Sequence, residues 1–492
     1  MSLVLNTNIG ALQAMRAMSE SKVEMEKAME RLSTGLRINS AADDAAGLAM
    51  IERMNSQIRG LTMATKNAND GISLIRTTEN ALVEVSGMLQ RMRELAVQAA
   101  NATNSDSERE FANNEITQLQ QEISRVSANT RYNGSQVLNG SYTAKHLQIG
   151  IMAGENIAFS IASVESSLLG SYVSTSSARA PIAAHNGAYT GNNGIDADGI
   201  TIVGNGNTRP LTVEANNTAK AIATKINAVA GATTVMSQAR TGALLKSTSA
   251  TDQTYTVKIN NVETAAFVLS SAGVTDAVAK INALASTTGV LASATTDGKV
   301  RLLDTDGDNI TIENTSTRTD LVVEALENDM LTANSSAIAL QAAGSNDMTT
   351  VTGTLRLTSM DGFIVTQATG VGAGSSIFTD GSTVATLASV SNISVTTTIG
   401  AGDALAILDG ALDIVSAMRG SLGTLQNRLD YSVSNLMKVT EYTTGARSRI
   451  ADADFAAETS RLAKAQVLQQ AGASMLAQAN ASTDIVMTVL RG

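Results

Sequence analysis

Two adjacent carboxylates are the first candidates for chemistry in this chain. Asp43 and Asp44 follow Arg37 and Ser40 within the stretch RLSTGLRINSAADDAAGLAM. Paired acids beside a hydroxyl and a cation could catalyse proton transfer or line a phosphate site. Acidic residues at a helix start are more often caps, and Ser40 and Asp43 have the spacing of a capping box with Asp in place of Glu. We therefore interpret these four residues as the joint between two helices, with Ser40 capping the second.

A second acidic stretch, DTDGDN at residues 304–309, alternates its carboxylates as calcium loops do. An EF-hand loop beginning at Asp304 needs glycine at position 309 and glutamate at position 315, where this chain has Asn309 and Thr315. Aspartate and glycine are also preferred turn residues. We predict a tight hairpin turn between KVRLL and NITIEN, and no metal site. The glycine-rich stretch GVGAGSS lacks the lysine of a nucleotide-binding loop.

The composition leaves few groups for catalysis. The 492 residues include two histidines, His146 and His185, and no cysteine or tryptophan. Thiol chemistry, disulfides and cysteine-ligated zinc are therefore excluded. The sequence has neither a nucleophile elbow nor an HExxH zinc-protease motif. We predict a protein that is not an enzyme and that uses no cofactor.

Charge and hydropathy limit the classes of partner. The net charge of −10 argues against nucleic acid, because phosphate binding requires a basic face. The first residues lack a basic segment followed by an apolar run, and no later segment has the ~20 uninterrupted apolar residues of a membrane span. We expect no membrane insertion and, if the chain is exported, no cleaved signal peptide.

Both ends of the chain show helical periodicity. A 4-3 spacing, interrupted by Lys22, predicts a coiled-coil seam in the first end. Its apolar residues are Ala11, Met15, Met18, Met25, Met29 and Leu32. The other end has a corresponding stripe of Leu468, Ala471, Met475, Ile485 and Val489. Long helices cannot bury such stripes alone, so these helices must pack on each other or on neighbouring chains.

Further helices and a hairpin are predicted between the two seams. A run from about Asp44 to Ala100 would form a helix roughly 80 Å long. A third run carries Phe111, Leu119, Ile123 and Val126 on one stripe. The alternation in HLQIGIMAGENIAFSI, residues 146–161, indicates a β-hairpin. Near the other end, leucines with helical spacing from Leu405 to Leu429 predict another long helix.

The middle of the chain contains an internal repeat. Residues 220–245 and 276–303 each have a short helix with a Lys-Ile-Asn-Ala core, then a strand, a glycine turn and a second strand. The repeat units extend over about 196–250 and 253–315. The predicted fold class is multidomain, with N- and C-terminal α-helical coiled-coil ends packed together and carrying a small β-hairpin, and these ends enclose inserted β-rich α+β domains.

The residues at both ends resemble those of bacterial flagellin. ERLSTGLRINSAADDAAGLAM, NANDGIS, LQRMRELAVQAAN and RYNG are similar to the N-terminal flagellin pattern, and ARSRIADADFAAETSRLAKAQVLQQAGASMLAQAN is similar to the C-terminal one. The resemblance covers roughly residues 1–161 and 405–491. It implies an extracellular structural subunit of the helical flagellar filament, which is a supercoiled propeller for swimming.

The resemblance also implies a division of the chain into domains. Residues 1–43 with 452–492 would form an inner-tube coiled coil, residues 44–176 with 403–451 a helical wall, and residues 177–402 a domain facing solvent. The inner tube would pack through Met15, Met18, Met25, Met29, Leu32, Leu468, Met475, Ile485 and Val489. We expect these terminal helices to be disordered in the monomer and to fold as neighbours dock. A methionine-rich seam suits such adaptable packing.

The resemblance implies several partners besides neighbouring copies of the chain. These are an export chaperone, cap and hook-junction proteins, and a host Toll-like receptor. The receptor would bind a surface formed by Arg91, Leu95 and Glu115, which is also expected to contact neighbouring subunits. Export would proceed unfolded through the flagellar type III channel.

Alternative functions are a hook–filament junction protein, which usually lacks so full a QRMRELAV core, and a secreted adhesin whose inserted modules bind. A flagellin bearing a protease in its insertion is a third class, and the protease motif is absent from this sequence.

Overall fold

The structure, a computed structural model, describes residues 7–185, 192–270, 273–342, 346–367, 376–378 and 381–491. The helices are α1 (Ile9–Thr34), α2 (Ala45–Ala100), α3 (Asp106–Asn129), α4 (Ala219–Asn227), α5 (Ala230–Thr233), α6 (Thr275–Asn282), α7 (Ala285–Thr288), α8 (Thr398–Ala451) and α9 (Phe455–Arg491). The first strands are β1 (Arg131–Tyr132), β2 (Ser135–Gln136), β3 (Lys145–Gln148), β4 (Asn156–Phe159), β5 (Gly170–Thr175), β6 (Ile182–His185), β7 (Asp198–Gly204) and β8 (Asn207–Val213). They are followed by β9 (Met236–Ser247), β10 (Gln253–Tyr255), β11 (Val257–Ile259), β12 (Val262–Glu263), β13 (Phe267–Leu269), β14 (Leu291–Ala294), β15 (Val300–Asp304) and β16 (Ile310–Asn314). The last are β17 (Leu321–Leu326), β18 (Ala333–Leu340), β19 (Met348–Val351), β20 (Thr354–Ser359), β21 (Ile364–Gln367), β22 (Gly381–Val384) and β23 (Thr386–Ser389).

The chain forms two compact units. Unit 1 contains Met1–Arg76, Ala144–Phe159 and Gly423–Gly492, and unit 2 contains Thr77–Thr143 and Ser160–Leu422. The division of the sequence into three domains, namely inner-tube, wall and inserted, stays a prediction. The side chain of His185 and most of GVGAGSS lie outside the described residues.

Unit 1 holds α1, α9, the first part of α2 and the last part of α8. α1 packs along α9, and Leu61 and Ala64 of α2 pack against Leu436 of α8. The predicted hairpin is confirmed, since β3 and β4 pair antiparallel with Leu147 opposite Ile157. Leu147 lies against Gly71 of α2, where any larger residue would overlap it. A glycine in mid-helix is thus explained by the close approach of the hairpin.

In unit 2, α3 buries only part of the predicted stripe. Ile123 is buried as predicted, together with Ala112 and Ile116, whereas Phe111 is 71% exposed. The same face buries Arg109 and Gln120, which donate hydrogen bonds to the backbone carbonyls of Ala99 (3.0 Å) and Val390 (2.7 Å). Because these polar residues occupy buried positions, apolar periodicity alone missed part of the buried face.

The inserted region of unit 2 is organised around β9. An eight-stranded sheet includes the order β14-β15-β9-β20-β5-β23, with β17 joining β9 to β18. A five-stranded sheet has the order β12-β11-β16-β19-β6, and a four-stranded sheet has the order β22-β21-β7-β8. Helix α4 contributes Ile222 and Ile226 to one apolar core, and α6 contributes Ile281 to another. This helix-on-sheet packing is the α+β arrangement expected for the insertion.

The two repeat segments share one arrangement of side chain–backbone hydrogen bonds. Asn227 at the end of α4 donates to the carbonyl of Ser237 (2.9 Å) and accepts from its N–H (2.7 Å). Asn282 at the end of α6 makes the same pair with Ala292, at 2.9 and 2.7 Å. The predicted glycine turn of the first segment was wrong, because Gly242 lies inside the continuous strand β9. β9 continues through it because it has strand partners along both edges.

The stretch DTDGDN joins two sheets. β15 belongs to the eight-stranded sheet and β16 to the five-stranded one, so the predicted hairpin between them was wrong. Asp304 accepts hydrogen bonds from the N–H groups of Asp306 (2.8 Å) and Gly307 (3.1 Å). The ammonium of Lys220 contacts Asp306 and Asp308 at 3.1 and 2.8 Å. Within the described ranges, no group of three or more acidic, histidine or cysteine side chains could hold a metal ion.

Candidate assembly faces and inter-domain joint

The joint between α1 and α2 is closed by Asp43. Its Oδ2 accepts from the backbone N–H groups of Asn39 (3.2 Å) and Ser40 (3.0 Å) and from the Ser40 hydroxyl (3.2 Å). The expectation that Ser40 caps α2 was wrong, because the helix begins later, at Ala45. Asp44 has that role instead, with its Oδ1 accepting from the N–H of Gly47 at 2.9 Å.

The joint docks on the carboxyl end of α8. The backbone N–H of Arg37 donates to the carbonyl of Ala451 (2.6 Å), and its guanidinium donates to that of Ile450 (2.7 Å). The N–H of Ala453 donates to the carbonyl of Gly35 at 2.9 Å. The last carbonyls of a helix lack partners within the helix and carry partial negative charge, so a cation is favourable there. Arg37 thus fixes the joint to the end of α8.

Three residues at the joint, Arg31, Glu458 and Arg461, were not found from the sequence. Arg31 Nη1 lies 3.2 Å from Glu458 Oε1 of α9, and its Nη2 lies 3.8 Å from Asp43 Oδ1. Arg461 contacts the same Glu458 oxygen at 3.0 Å. The Glu458 side chain is 5% exposed. We call Arg31, Asp43, Glu458 and Arg461 the joint cluster. The i, i+3 spacing of Glu458 and Arg461 was a visible signal, but nothing in the sequence paired Glu458 with Arg31.

Acid is expected to loosen the joint through Asp43. Hydrogen bonds from the backbone of Ser40 and then of Asn39 hold the pKa of Asp43 below its ordinary value of 3.8. Because the folded-state pKa is depressed, the ionised carboxylate stabilises the joint fully above pH 3.8, and this contribution is lost as the pH falls through the folded-state pKa. NMR titration of the Asp43 carboxyl, with Asp43→Asn as the control lacking this step, would measure it. Titration at or above the ordinary value would contradict the expectation.

Small residues are interspersed with larger ones along the seam between α1 and α9. On α1 the covered positions are Ala11, Ala14, Met18, Ser21, Met25, Ala28, Arg31 and Leu32. On α9 they are Glu458, Thr459, Leu462, Ala465, Gln469, Gly472, Leu476 and Ala479. Alanine and glycine let two helices approach closely, so the contact follows these positions and leaves the neighbouring larger side chains outside.

Several residues predicted for inner-tube packing therefore remain on the surface of the single chain. Met18, Met25 and Leu32 are half-buried in the seam. Met15 and Met29 are 48% and 46% exposed, and Leu468 and Met475 are 48% and 64% exposed. Ile485 and Val489 lie on α9, but their side chains lie outside the described residues. Each terminal helix thus has an apolar face beside the seam, and we call these two surfaces the free faces.

The predicted receptor surface is only partly accessible. Arg91 Nε donates to Glu115 Oε1 at 2.8 Å, and both side chains are about half exposed. Leu95 is 3% exposed and lies in the core, so its inclusion in an accessible surface was wrong. Leu95 faces inward because it shares the buried stripe of α2 with Met92 and Ala96. Arg91 and Glu115 alone of the three present their side chains to solvent.

Comparison with known proteins identifies these helical ends. Residues 5–143 match the bacterial flagellin N-terminal helical region, and residues 405–490 match the bacterial flagellin C-terminal helical region. The B-type flagellin of Pseudomonas aeruginosa is 36% identical over 502 residues, with 100% of both chains covered. This chain belongs to the bacterial flagellin family. A flagellin of Salmonella typhimurium is 34% identical over 532 residues, again with 100% of both chains covered. The solved FliC of Burkholderia pseudomallei shares 19% identity, covering 73% of this chain and 99% of that one, with a TM-score of 0.30.

Membership in the flagellin family establishes the general role. The chain is a structural subunit of the bacterial flagellar filament, and it is extracellular in the assembled flagellum. The family is structural rather than enzymatic. The full-length flagellin relatives favour this role over that of a hook–filament junction protein. Among the described helices, none is long and apolar enough for a membrane span.

Proposed function

We propose that this flagellin assembles through the free faces of α1 and α9. The observation that carries the proposal is the exposure of Met15, Met29, Leu468 and Met475 beside the seam between the two helices. Large apolar side chains exposed together on a surface are unfavourable in water and mark surfaces that a partner covers. Neighbouring subunits would supply that cover, with the inner-tube contacts formed by these four residues together with Met18, Met25, Leu32, Ile485 and Val489.

The same geometry supports folding of the terminal helices during assembly. Among the described residues of α1 and α9, the seam fully buries two apolar side chains, Ala28 and Ala465, and covers Met18 and Met25 only in part, so little apolar area is removed from water within one chain. Isolated helices are marginal in water and depend on packing for their stability. The terminal helices are then disordered in the free monomer and become ordered as neighbours add apolar contacts.

Polymerisation of paired variants tests the proposal. The purified wild-type chain is expected to form long tubes visible by electron microscopy, and the double variant Met15→Glu, Met475→Glu to form none, because two carboxylates would be buried without partners. Met236→Glu is the matched control, since Met236 is 58% exposed in unit 2. Amides of α1 and α9 should exchange faster in the monomer than in the filament. Tubes from the double variant, or equal protection in both states, would contradict the proposal.

Export and further partners follow from the same proposal. The chain would leave the cell unfolded through the flagellar type III channel, with an export chaperone on its C-terminal helix. Cap and hook-junction proteins would contact the growing and anchored ends of the filament. A host Toll-like receptor would recognise the monomer through Arg91 and Glu115, whose exposed pair on α2 and α3 supports this part of the proposal.

A further inference from the structure

Methionine is the main oxidisable residue of this chain, and its exposed copies are unevenly placed. The sequence has 19 methionines and no cysteine or tryptophan. Among the methionines whose side chains the structure describes, the strongly exposed ones are Met15, Met29, Met50, Met63, Met152, Met437 and Met475 in unit 1 and Met236 and Met360 in unit 2. Three of these, Met15, Met29 and Met475, lie on the free faces. We call these three the face methionines.

We propose that the face methionines are a modification site for peroxide-type oxidants, and that their oxidation blocks filament assembly. The thioether sulfur attacks one oxygen of hydrogen peroxide, the O–O bond breaks, and a sulfur–oxygen bond forms. Sulfur loses two electrons, the peroxide is reduced, and the second oxygen leaves as water after proton transfer. The product is methionine sulfoxide, which is polar and can be reduced enzymatically.

Accessibility determines which sulfurs react. Met15, Met29 and Met475 are 48%, 46% and 64% exposed even when α1 and α9 are folded, and they lose none of this exposure when the helices are disordered in the free monomer. Oxidation follows exposure. Met92 and Met330 are fully buried and Met348 is 3% exposed, so these three serve as internal references that react last. The same chain thus contains fast and slow methionines under identical conditions, and a peptide map ranks them without any comparison between proteins.

The effect on assembly follows from what a sulfoxide does to an apolar contact. Its S=O oxygen is a strong hydrogen-bond acceptor, and burying it without a donor is unfavourable. The free faces need their side chains apolar only when a neighbour covers them. Oxidation therefore acts on the monomer, and assembly in turn protects the same sulfurs.

This inference rests on the assembly proposed above, and the experiment separates the two. Monomer and preformed filament are treated with hydrogen peroxide, and each methionine is quantified by peptide mass spectrometry. In the monomer the face methionines should be oxidised well before Met92 and Met330, whereas in the filament they should be protected. Met236 is the comparison residue, because it is exposed in unit 2 and outside the free faces.

Polymerisation of the treated monomer gives the functional result. The oxidised wild type should polymerise about tenfold more slowly or worse, since three apolar contacts each gain a buried polar group. In a Met15→Leu, Met29→Leu, Met475→Leu variant, treatment should leave the polymerisation rate at that of the same variant untreated, whereas Met236→Leu, Met360→Leu should stay sensitive. Methionine sulfoxide reductase should restore the wild type. Failure of the untreated chain to polymerise would overturn the proposed assembly, whereas equal loss in the triple-leucine variant would overturn this inference alone.

Discussion

Replacing Asp403 with alanine is expected to lower the free energy of unfolding of unit 2 by about 3–5 kcal/mol, the cost of breaking a buried ion pair. Asp403 lies near the start of α8, where its carboxylate accepts from Arg240 Nη2 of β9 at 2.9 and 3.1 Å. Its Oδ2 also lies 3.4 Å from Arg356 Nη1 of β20. The side chains of Arg240, Arg356 and Asp403 are 11%, 12% and 20% exposed.

The expected loss is large because Asp403 is shared by two arginines. Without it, two guanidinium groups would lie close together in a poorly solvated site. Desolvation by burial already lowers the pKa of Arg356, which indicates that the charged form of its guanidinium is destabilised at this site. Asn328 accepts from Arg240 at 2.8 Å and would remain, but a neutral amide does not offset two positive charges. The helical end of unit 2 would then lose its ionic contact with the inserted sheet.

Asp409 provides a matched control on the same helix. It pairs with Arg93 at 2.6 Å, but the two side chains are 51% and 46% exposed. Asp409→Ala should therefore cost less than about 1 kcal/mol, as for exposed ion pairs. Amide exchange of β9 under denaturant would report the stability of the sheet in both variants. Equal losses in Asp403→Ala and Asp409→Ala would contradict the view that burial and shared contacts make Asp403 different.

The long helices and the hairpin were predictable because their signals are local. The periodicity from Asp44 to Ala100 agrees with α2, and the alternation around residues 146–161 agrees with β3 and β4. The buried face of each helix was less predictable than its length. In α1, Met18, Met25 and Leu32 of the predicted stripe are covered but Met15 and Met29 are exposed, and in α9 the covered positions lie one residue after the predicted Leu468 and Met475. Small and satisfied polar residues, such as Ala28 of α1 and Gln120 of α3, occupy buried positions that large apolar side chains alone do not indicate.

Contacts between distant segments had no signal in a single sequence. Arg240 and Asp403 are separated by 163 residues, and Arg31 and Glu458 by 427. At the joint, residue types correctly indicated caps and ion pairs, but the capping partner was misassigned because the start of α2 is set by Asp44 rather than by Ser40. Likewise, β15 and β16 were predicted to form a hairpin because they are adjacent in sequence. In the structure they belong to different sheets, because each pairs with strands from distant parts of the chain.

Replacing Arg31 with methionine is expected to destabilise the contact of α1 with α9 by about 3 kcal/mol, at the lower end for a broken buried pair. Arg31 bridges Asp43 of the joint and Glu458 of α9. Without it, Glu458 would retain Arg461, whose side chain is 59% exposed and therefore screens the buried carboxylate poorly. Methionine preserves the apolar stem of the side chain, so the loss reports the charge. Amide exchange of α1 in the assembled filament would measure it.

A double-mutant cycle separates ionic coupling from general damage to the helix. If Arg31 acts through Glu458, the losses in Arg31→Met and Glu458→Gln should not add, and the coupling energy should exceed about 1 kcal/mol. Arg16→Met is the control on the same helix, because Arg16 and Glu20 are 83% and 68% exposed and their pair should contribute little. A second cycle uses Asp43. Asp43→Asn should couple to Arg31→Met more weakly, because Arg31 Nη2 lies 3.8 Å from Asp43 Oδ1. Additive losses at Arg31 and Glu458 would show that the joint is held by the backbone hydrogen bonds of Gly35 and Arg37 rather than by the joint cluster.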